Sequence, residues 1–192
     1  LRQMPNMCVM APKDEEELRH MLATAIALPG PAAVRYPRGA GLGVALTDSF
    51  EKLPVGKAEV LQEKGEIAFL AVGTMVEHAK AAAAILAEEG IEAAVVNMRF
   101  IKPLDTALID AMAKTKKLII TVEENVLAGG FGSAVAEYLA DSGQQVPLVR
   151  FGIPDRFIEQ GTRKELLSLC GLQPEQMAEC VRERLSHLAP EA

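Results

Sequence analysis

The sequence predicts an α/β fold, a mostly parallel sheet flanked by helices on both faces. Three observations point there. From Gly65 onward, short apolar runs alternate with longer segments of helical periodicity, the order that β–α–β units produce. The first of these runs, Ile67 to Val72, is apolar at consecutive positions, as in a strand covered on both sides. Aromatic residues make up 4% of the 192 residues and Trp is absent, so the core must be mostly Ala, Val, Leu and Ile.

Met7 to Met10 reads as a short strand. Asp14 is then an N-cap, with Glu17 three residues on as its capping-box partner. Leu18, Met21, Leu22, Ala25, Ile26 and Leu28 follow helical spacing until Pro29-Gly30-Pro31 ends the helix. Ala32 to Tyr36 is a second strand. From Pro37 to about Gly65 the chain is rich in Gly and Pro, long for a connection inside one domain. It reads as a linker that Leu53, Val55 and Val60 anchor or turn into a short strand. Strands follow at Ile67–Val72, Ile91–Met98, Lys117–Val122 and Val146–Phe151. Helices are expected at Val76–Glu89, Leu104–Lys114, Gly132–Asp141, Arg163–Leu169 and Pro174–Leu185, with Thr162 as an N-cap. No internal repeat is evident.

Apolar residues form 49% and charged residues 24% of the chain, an ordinary globular balance. The net charge of −6 argues against non-specific nucleic-acid binding, which needs clustered Lys and Arg. The apolar runs are too short to cross a bilayer, and no signal peptide opens the chain. Cys8, Cys170 and Cys180 lack metal-ligand spacing and read as reduced thiols of a cytoplasmic protein, filling apolar space. Position 1 is Leu rather than Met, and the chain enters abruptly before a strand. Its start reads as a cut through a larger protein.

The most informative segment is Val34-Arg35-Tyr36-Pro37-Arg38-Gly39. A guanidinium matches phosphate or carboxylate oxygens. Pro37 fixes the backbone, and loops at the carboxyl ends of strands carry the ligands of open α/β sheets. Arg38 is therefore expected to bind an anion, against the alternative of a solvated or surface-paired arginine. Arg35 could equally be a buried ion-pair partner, and Tyr36 is expected to pack. Glu123 and Glu124 end a strand before Gly129-Gly130-Phe131-Gly132. That turn could cradle a nucleotide, but it departs from the dinucleotide fingerprint. Close helix–sheet packing, with a glutamate at an interface, is the favoured reading. Arg99 could bind an anion or, by preference, pair with Glu123 or Glu124. Gly152 to Phe157 reads as a rigid exit loop. His20, His78 and His187 fall in separate helices without a nucleophile partner in sequence.

Together these segments resemble the C-terminal part of the transketolase-like thiamine-diphosphate enzymes, most closely the synthases that make 1-deoxy-D-xylulose 5-phosphate. The resemblance is carried by Met10 to Leu18, Ala33 to Gly39, Leu53 to Lys57, Asn97 to Asp105, Thr121 to Asn125 with Gly129-Gly130, and Gly152 to Asp155, in the family's order. It implies that residues 1–45 end a pyrimidine-binding domain, that 46–64 form a linker, and that 65–192 are a transketolase-like C-terminal domain. Such enzymes join pyruvate to glyceraldehyde 3-phosphate with loss of carbon dioxide, and their product feeds isoprenoid, thiamine and pyridoxal synthesis. They use thiamine diphosphate and Mg2+ and work as homodimers. Arg38 falls on the family's phosphate-gripping arginine, with Arg35 in support. The resemblance places the catalytic, cofactor-binding and metal-binding residues upstream of Leu1, so the segment would contribute a substrate anchor and dimer contacts and depend on the upstream polypeptide. Two other readings use the same residues. One is transketolase or a 2-oxo acid dehydrogenase β subunit. The other is a non-catalytic α/β module that meets a partner through its Gly129–Gly132 turn.

Overall fold

A computed structural model describes residues 1–188. Five strands form the large sheet: β3 (Glu59–Gln62), β4 (Ile67–Ala71), β5 (Ala93–Asn97), β7 (Leu118–Val126) and β8 (Leu148–Ile153). Their order is β3-β5-β4-β7-β8, with β4, β5, β7 and β8 parallel and β3 antiparallel at the edge. A second, three-stranded sheet runs β2 (Ala32–Val34), β1 (Cys8–Met10), β6 (Phe100–Lys102).

The continuous apolar runs have the expected cause. In β4, Ile67, Phe69 and Ala71 face α2 (Met75–Glu88), α5 (Arg163–Leu169) and α6 (Pro174–Leu188). The alternate residues Ala68 and Leu70 face α3 (Thr106–Thr115) and α4 (Phe131–Asp141), as does Val72 just beyond the strand. A strand with helices on both sides has no polar face to show. The predicted α/β class and its flanking helices are therefore the observed ones.

One strand was not resolved by periodicity, and another was one of two alternatives for its segment. Glu59–Gln62, inside the segment expected to be a linker, pairs antiparallel with β5, Val60 opposite Val96. The large sheet thus begins before residue 65. Phe100–Lys102 leaves the large sheet altogether and pairs antiparallel with β1. Arg99 makes the change of direction in a left-handed conformation at φ +57. Phe100 then enters a small core with Cys8, Met10 and Met21, under α1 (Glu15–Ala27). Leu22 and Ile26, which fit the helical pattern of α1, are exposed instead.

A polar cluster joins this small layer to the large sheet. Asp14 caps α1 as expected, accepting from Glu17 N–H at 2.7 Å. Glu17 does not return to the cap. Its buried carboxylate accepts from Lys13 N–H, Asn97 Nδ2 and Arg99 Nε, each at 2.7 Å. Arg99 also pairs with Glu59 at 3.2 Å. The expected pairing of Arg99 with Glu123 or Glu124 is thereby corrected. The left-handed bend turns its side chain toward α1 rather than toward β7.

Candidate functional site

The site lies where β2 and β7 end. Past Val34 the chain keeps one more ladder bond, Arg35 N–H to Met10 C=O at 2.9 Å. The Arg35 side chain turns inward and donates from Nη1 to the Glu124 carbonyl at 2.7 Å. Burial lowers its pKa below the usual value, opposed by the Glu124 and Glu123 carboxylates. Arg35 thus ties the carboxyl end of β2 to that of β7, the structural role that its sequence left open.

Arg38, two residues past the exposed Tyr36, borders two clefts. One, of about 390 Å3, includes Glu124, Ile153, Arg163 and Leu166. The other, of about 440 Å3, includes Lys13, Thr74, His78 and Arg163. Tyr36 was expected to pack; it is 60% exposed and borders the larger cleft. The glycine-rich loop after Arg38 forms one wall. Glu15, in the first turn of α1, holds this wall by accepting from Leu42 N–H at 3.0 Å and from Val44 N–H at 3.3 Å. A Cβ at Gly41 would stand 2.6 Å from the Glu15 carboxylate, so a side chain there would displace that carboxylate.

The carboxylates around the larger cleft are already engaged. Asp14 caps α1, Glu15 holds the loop, and Glu77 pairs with Lys80 at 2.9 Å. Lys13 is held by Glu59 at 3.0 Å. Arg38 makes no hydrogen bond or ion pair with the described residues and is exposed to the cleft. A fixed-charge group without a partner at a cleft wall can take an anionic ligand without first breaking a contact.

Glu123 and Glu124 lie inside β7, which runs on to Val126. Glu123 is 2% exposed and accepts from Phe131 N–H at 2.8 Å and from Gly132 N–H at 2.7 Å. Burial raises its pKa, against the opposing effect of these two amides and of Arg35. The N-terminus of α4 thus carries an internal carboxylate where a phosphate would sit in a cradle. This corrects the nucleotide reading of the Gly129–Gly132 turn. The close helix–sheet packing is present: a Cβ on Gly132 would meet Thr121 Oγ1 at 2.6 Å. The turn therefore does not fit a diphosphate group. Among the described residues no group of three or more His, Cys, Asp or Glu is placed to hold a metal ion, and no helix is long and apolar enough to cross a membrane.

Glu124 points the other way and borders the smaller cleft. It accepts from Arg163 Nε at 2.9 Å and from Thr74 Oγ1 at 3.1 Å. Burial pushes its pKa up, but the Arg163 hydrogen bond and charge outweigh burial, and the net position is below the usual carboxylate range. Arg163 stands beside the predicted cap Thr162, whose capping box with Glu165 is formed. Sequence reasoning stopped at the cap. Arg163, Thr74 and His78 carry no local motif and meet Arg38 only because α2 and α5 start at the same end of the sheet.

Two family models match. Residues 1–42 match the transketolase pyrimidine binding domain, and residues 56–177 match the transketolase C-terminal domain. The chain is 54% identical, over 97% of its own length, to a 1-deoxy-D-xylulose-5-phosphate synthase of Pelotomaculum thermopropionicum, covering 29% of that protein. It is 53% identical, over 97% of its length, to the enzyme of the same name from Thioalkalivibrio sulfidiphilus, covering 28% of that protein. It thus spans less than a third of these relatives. Among solved structures, a split-gene transketolase described as an inactive β4 tetramer superposes with a TM-score of 0.81 at 32% identity, over 96% of this chain and 59% of that one. A transketolase of Pichia stipitis shares the fold, with a TM-score of 0.65 at 21% identity over 97% of this chain and 26% of that one. With the larger domain matched from Gly56 to Met177, the chain belongs to the transketolase C-terminal domain family.

Proposed function

We propose that this chain is the C-terminal part of a 1-deoxy-D-xylulose 5-phosphate synthase, a thiamine-diphosphate-dependent transferase. The whole enzyme would condense pyruvate with glyceraldehyde 3-phosphate, with loss of carbon dioxide. Thiamine diphosphate and Mg2+ would be bound by upstream segments of the same polypeptide, in a cytoplasmic homodimer. Residues 1–45 would close the pyrimidine-binding domain. The stretch 46–64 would lead from it into the C-terminal domain, with β3 already part of the large sheet. Identity above 50% to synthases of this name supports the activity.

In this reading Arg38 grips the substrate phosphate and Arg35 supports it from the strand end. The observation that carries it is the unpartnered guanidinium of Arg38 on a cleft whose carboxylates are otherwise engaged. Holding the non-reacting end of the sugar phosphate helps to position the aldehyde for attack. Arg35, bonded to the Glu124 carbonyl, acts by fixing the backbone from which Arg38 projects.

Arg38→Ala in the full-length enzyme tests this. Loss of a charged hydrogen-bonding contact should weaken use of glyceraldehyde 3-phosphate by roughly 1.5–3 kcal/mol, with pyruvate affinity little changed. An unaltered response to the aldehyde phosphate rejects the assignment. Transketolase activity is the second reading, supported by the 32% identity to the split-gene transketolase. Product formation from pyruvate and glyceraldehyde 3-phosphate, with none from ribose 5-phosphate, separates the two.

A further inference from the structure

The clefts that Arg38 borders carry a second guanidinium. Arg163, the first residue of α5, borders both clefts that Arg38 borders. Its orientation is fixed. Nε donates to Glu124 Oε1 at 2.9 Å, while Nη2 donates to Glu124 Oε2 at 2.5 Å and to Thr74 Oγ1 at 2.9 Å. These bonds use one edge of the planar group. Nη1 makes no hydrogen bond with the described residues, so two donors remain on an arginine that has no freedom left to lose.

A second observation is independent of the first. His78, on α2 four residues after Thr74, borders the larger cleft. Its Nδ1 is excluded from solvent and has no hydrogen-bond partner. A buried polar atom left unpaired costs free energy unless something supplies the partner. Burial, followed by the Arg163 charge, lowers the imidazole's pKa below its ordinary value. At this end of the sheet Arg38 and Arg163 border one cleft with Glu124, and Arg35 lies beside Glu123 and Glu124.

We infer that Arg163 is a specificity-determining residue, the second jaw of a clamp that selects phosphorylated over unphosphorylated aldehydes. This rests on the reading of Arg38 as the phosphate grip and extends it to a residue of the C-terminal domain. Arg38 approaches the phosphate from the glycine-rich side, whose loop Glu15 holds. Arg163 presents Nη1 from a position locked by Glu124 and Thr74, with His78 beside it. No bond is made or broken in this role; the clamp acts through hydrogen bonds and charge.

The test compares glyceraldehyde 3-phosphate with D-glyceraldehyde as acceptors for the full-length enzyme, with saturating pyruvate. Arg163→Gln is expected to lower kcat/KM for the phosphorylated aldehyde about ten-fold or more, mainly through KM, and to change D-glyceraldehyde use less than about two-fold. Arg163→Lys, which keeps the charge and loses the fork, is expected to fall between Arg163→Gln and the parent, and it serves if Arg163→Gln does not fold. Equal losses on both aldehydes mean a structural role and overturn the inference, as does Arg163→Lys or Arg163→Gln behaving like the parent. Arg38→Ala measured alongside keeps the two readings apart. A phosphate-specific loss there without one at Arg163 sinks only the second jaw; no phosphate-specific loss at Arg38 sinks both.

Discussion

Glu123 and Glu124 are neighbours on one strand and face opposite surroundings. Successive side chains of a strand alternate in direction, so one carboxylate caps α4 and the other pairs with Arg163. The two respond to pH with opposite sign. The raised pKa of Glu123 means that the folded state holds its proton longer than the unfolded chain does. Its contribution to stability therefore falls as pH rises from the usual carboxylate value to the raised one. Glu124 is depressed, so its contribution is present above the usual value and is lost as pH falls through the lower one. The stability advantage of the parent over Glu123→Gln should accordingly shrink as pH is raised from about 4 toward 7. Urea midpoints of the two proteins across that range check it; an advantage that grows with pH would contradict the assignment. Arg38 was legible in the sequence because Pro37 and the following glycines mark a strand-end loop. Its setting was not: Thr74, His78 and Arg163 lie far away in the chain, and nothing local marks any of them as its neighbours.

At the scale of elements, α4 sits close to β7 because Gly132 in its first turn has no side chain. Gly132 packs where a Cβ would meet Thr121 Oγ1 at 2.6 Å and the Arg150 side chain at 3.2 Å. Gly132→Ala should therefore push α4 off the sheet and cost about 1–3 kcal/mol through overpacking. The drop is measured by urea unfolding, and a stability within experimental error of the parent would refute the close approach. Most helices and the central strands could be read directly, since periodicity and capping are local. Thr162 with Glu165, and Asp14 with its first turn, show how far such signals reach. The strand β6 could not be read that way, and β3 only as one of two alternatives for its segment. Each is short and takes its identity from a partner strand, β5 or β1, rather than from its own pattern.

Across the whole molecule, Glu17 fastens the small N-terminal layer to the large sheet. A buried carboxylate receiving Asn97, Arg99 and the Lys13 amide joins α1 to the far end of β5. Glu17→Ala leaves the Arg99 charge half-shielded and without its nearest partner. Glu59 still pairs with Arg99, so the cost should fall below the roughly 3–5 kcal/mol of an uncompensated buried charge. Faster hydrogen exchange across α1 and β1, with β4 and β7 little affected, is the expected pattern; uniform exchange would show that Glu17 does not couple the layers. The cluster also has a consequence for the cleft, because Glu15 opens α1 and holds the loop that follows Arg38, and Lys13 just precedes the helix.

The chain's own pattern of apolar and polar residues determined the α/β class, the order of its principal strands and helices, and Arg38 as the anion-binding candidate. Those properties depend on neighbours a few positions apart, where backbone geometry and hydrophobic spacing act. Folding alone decided that Arg99 turns to Glu17, that Glu123 fills the α4 N-terminus, and that Arg163 and His78 border one cleft with Arg38. Charge pairing and burial depend on distance in space, and residues from α1, β2, β7 and α5 become neighbours only when the sheets and helices have packed.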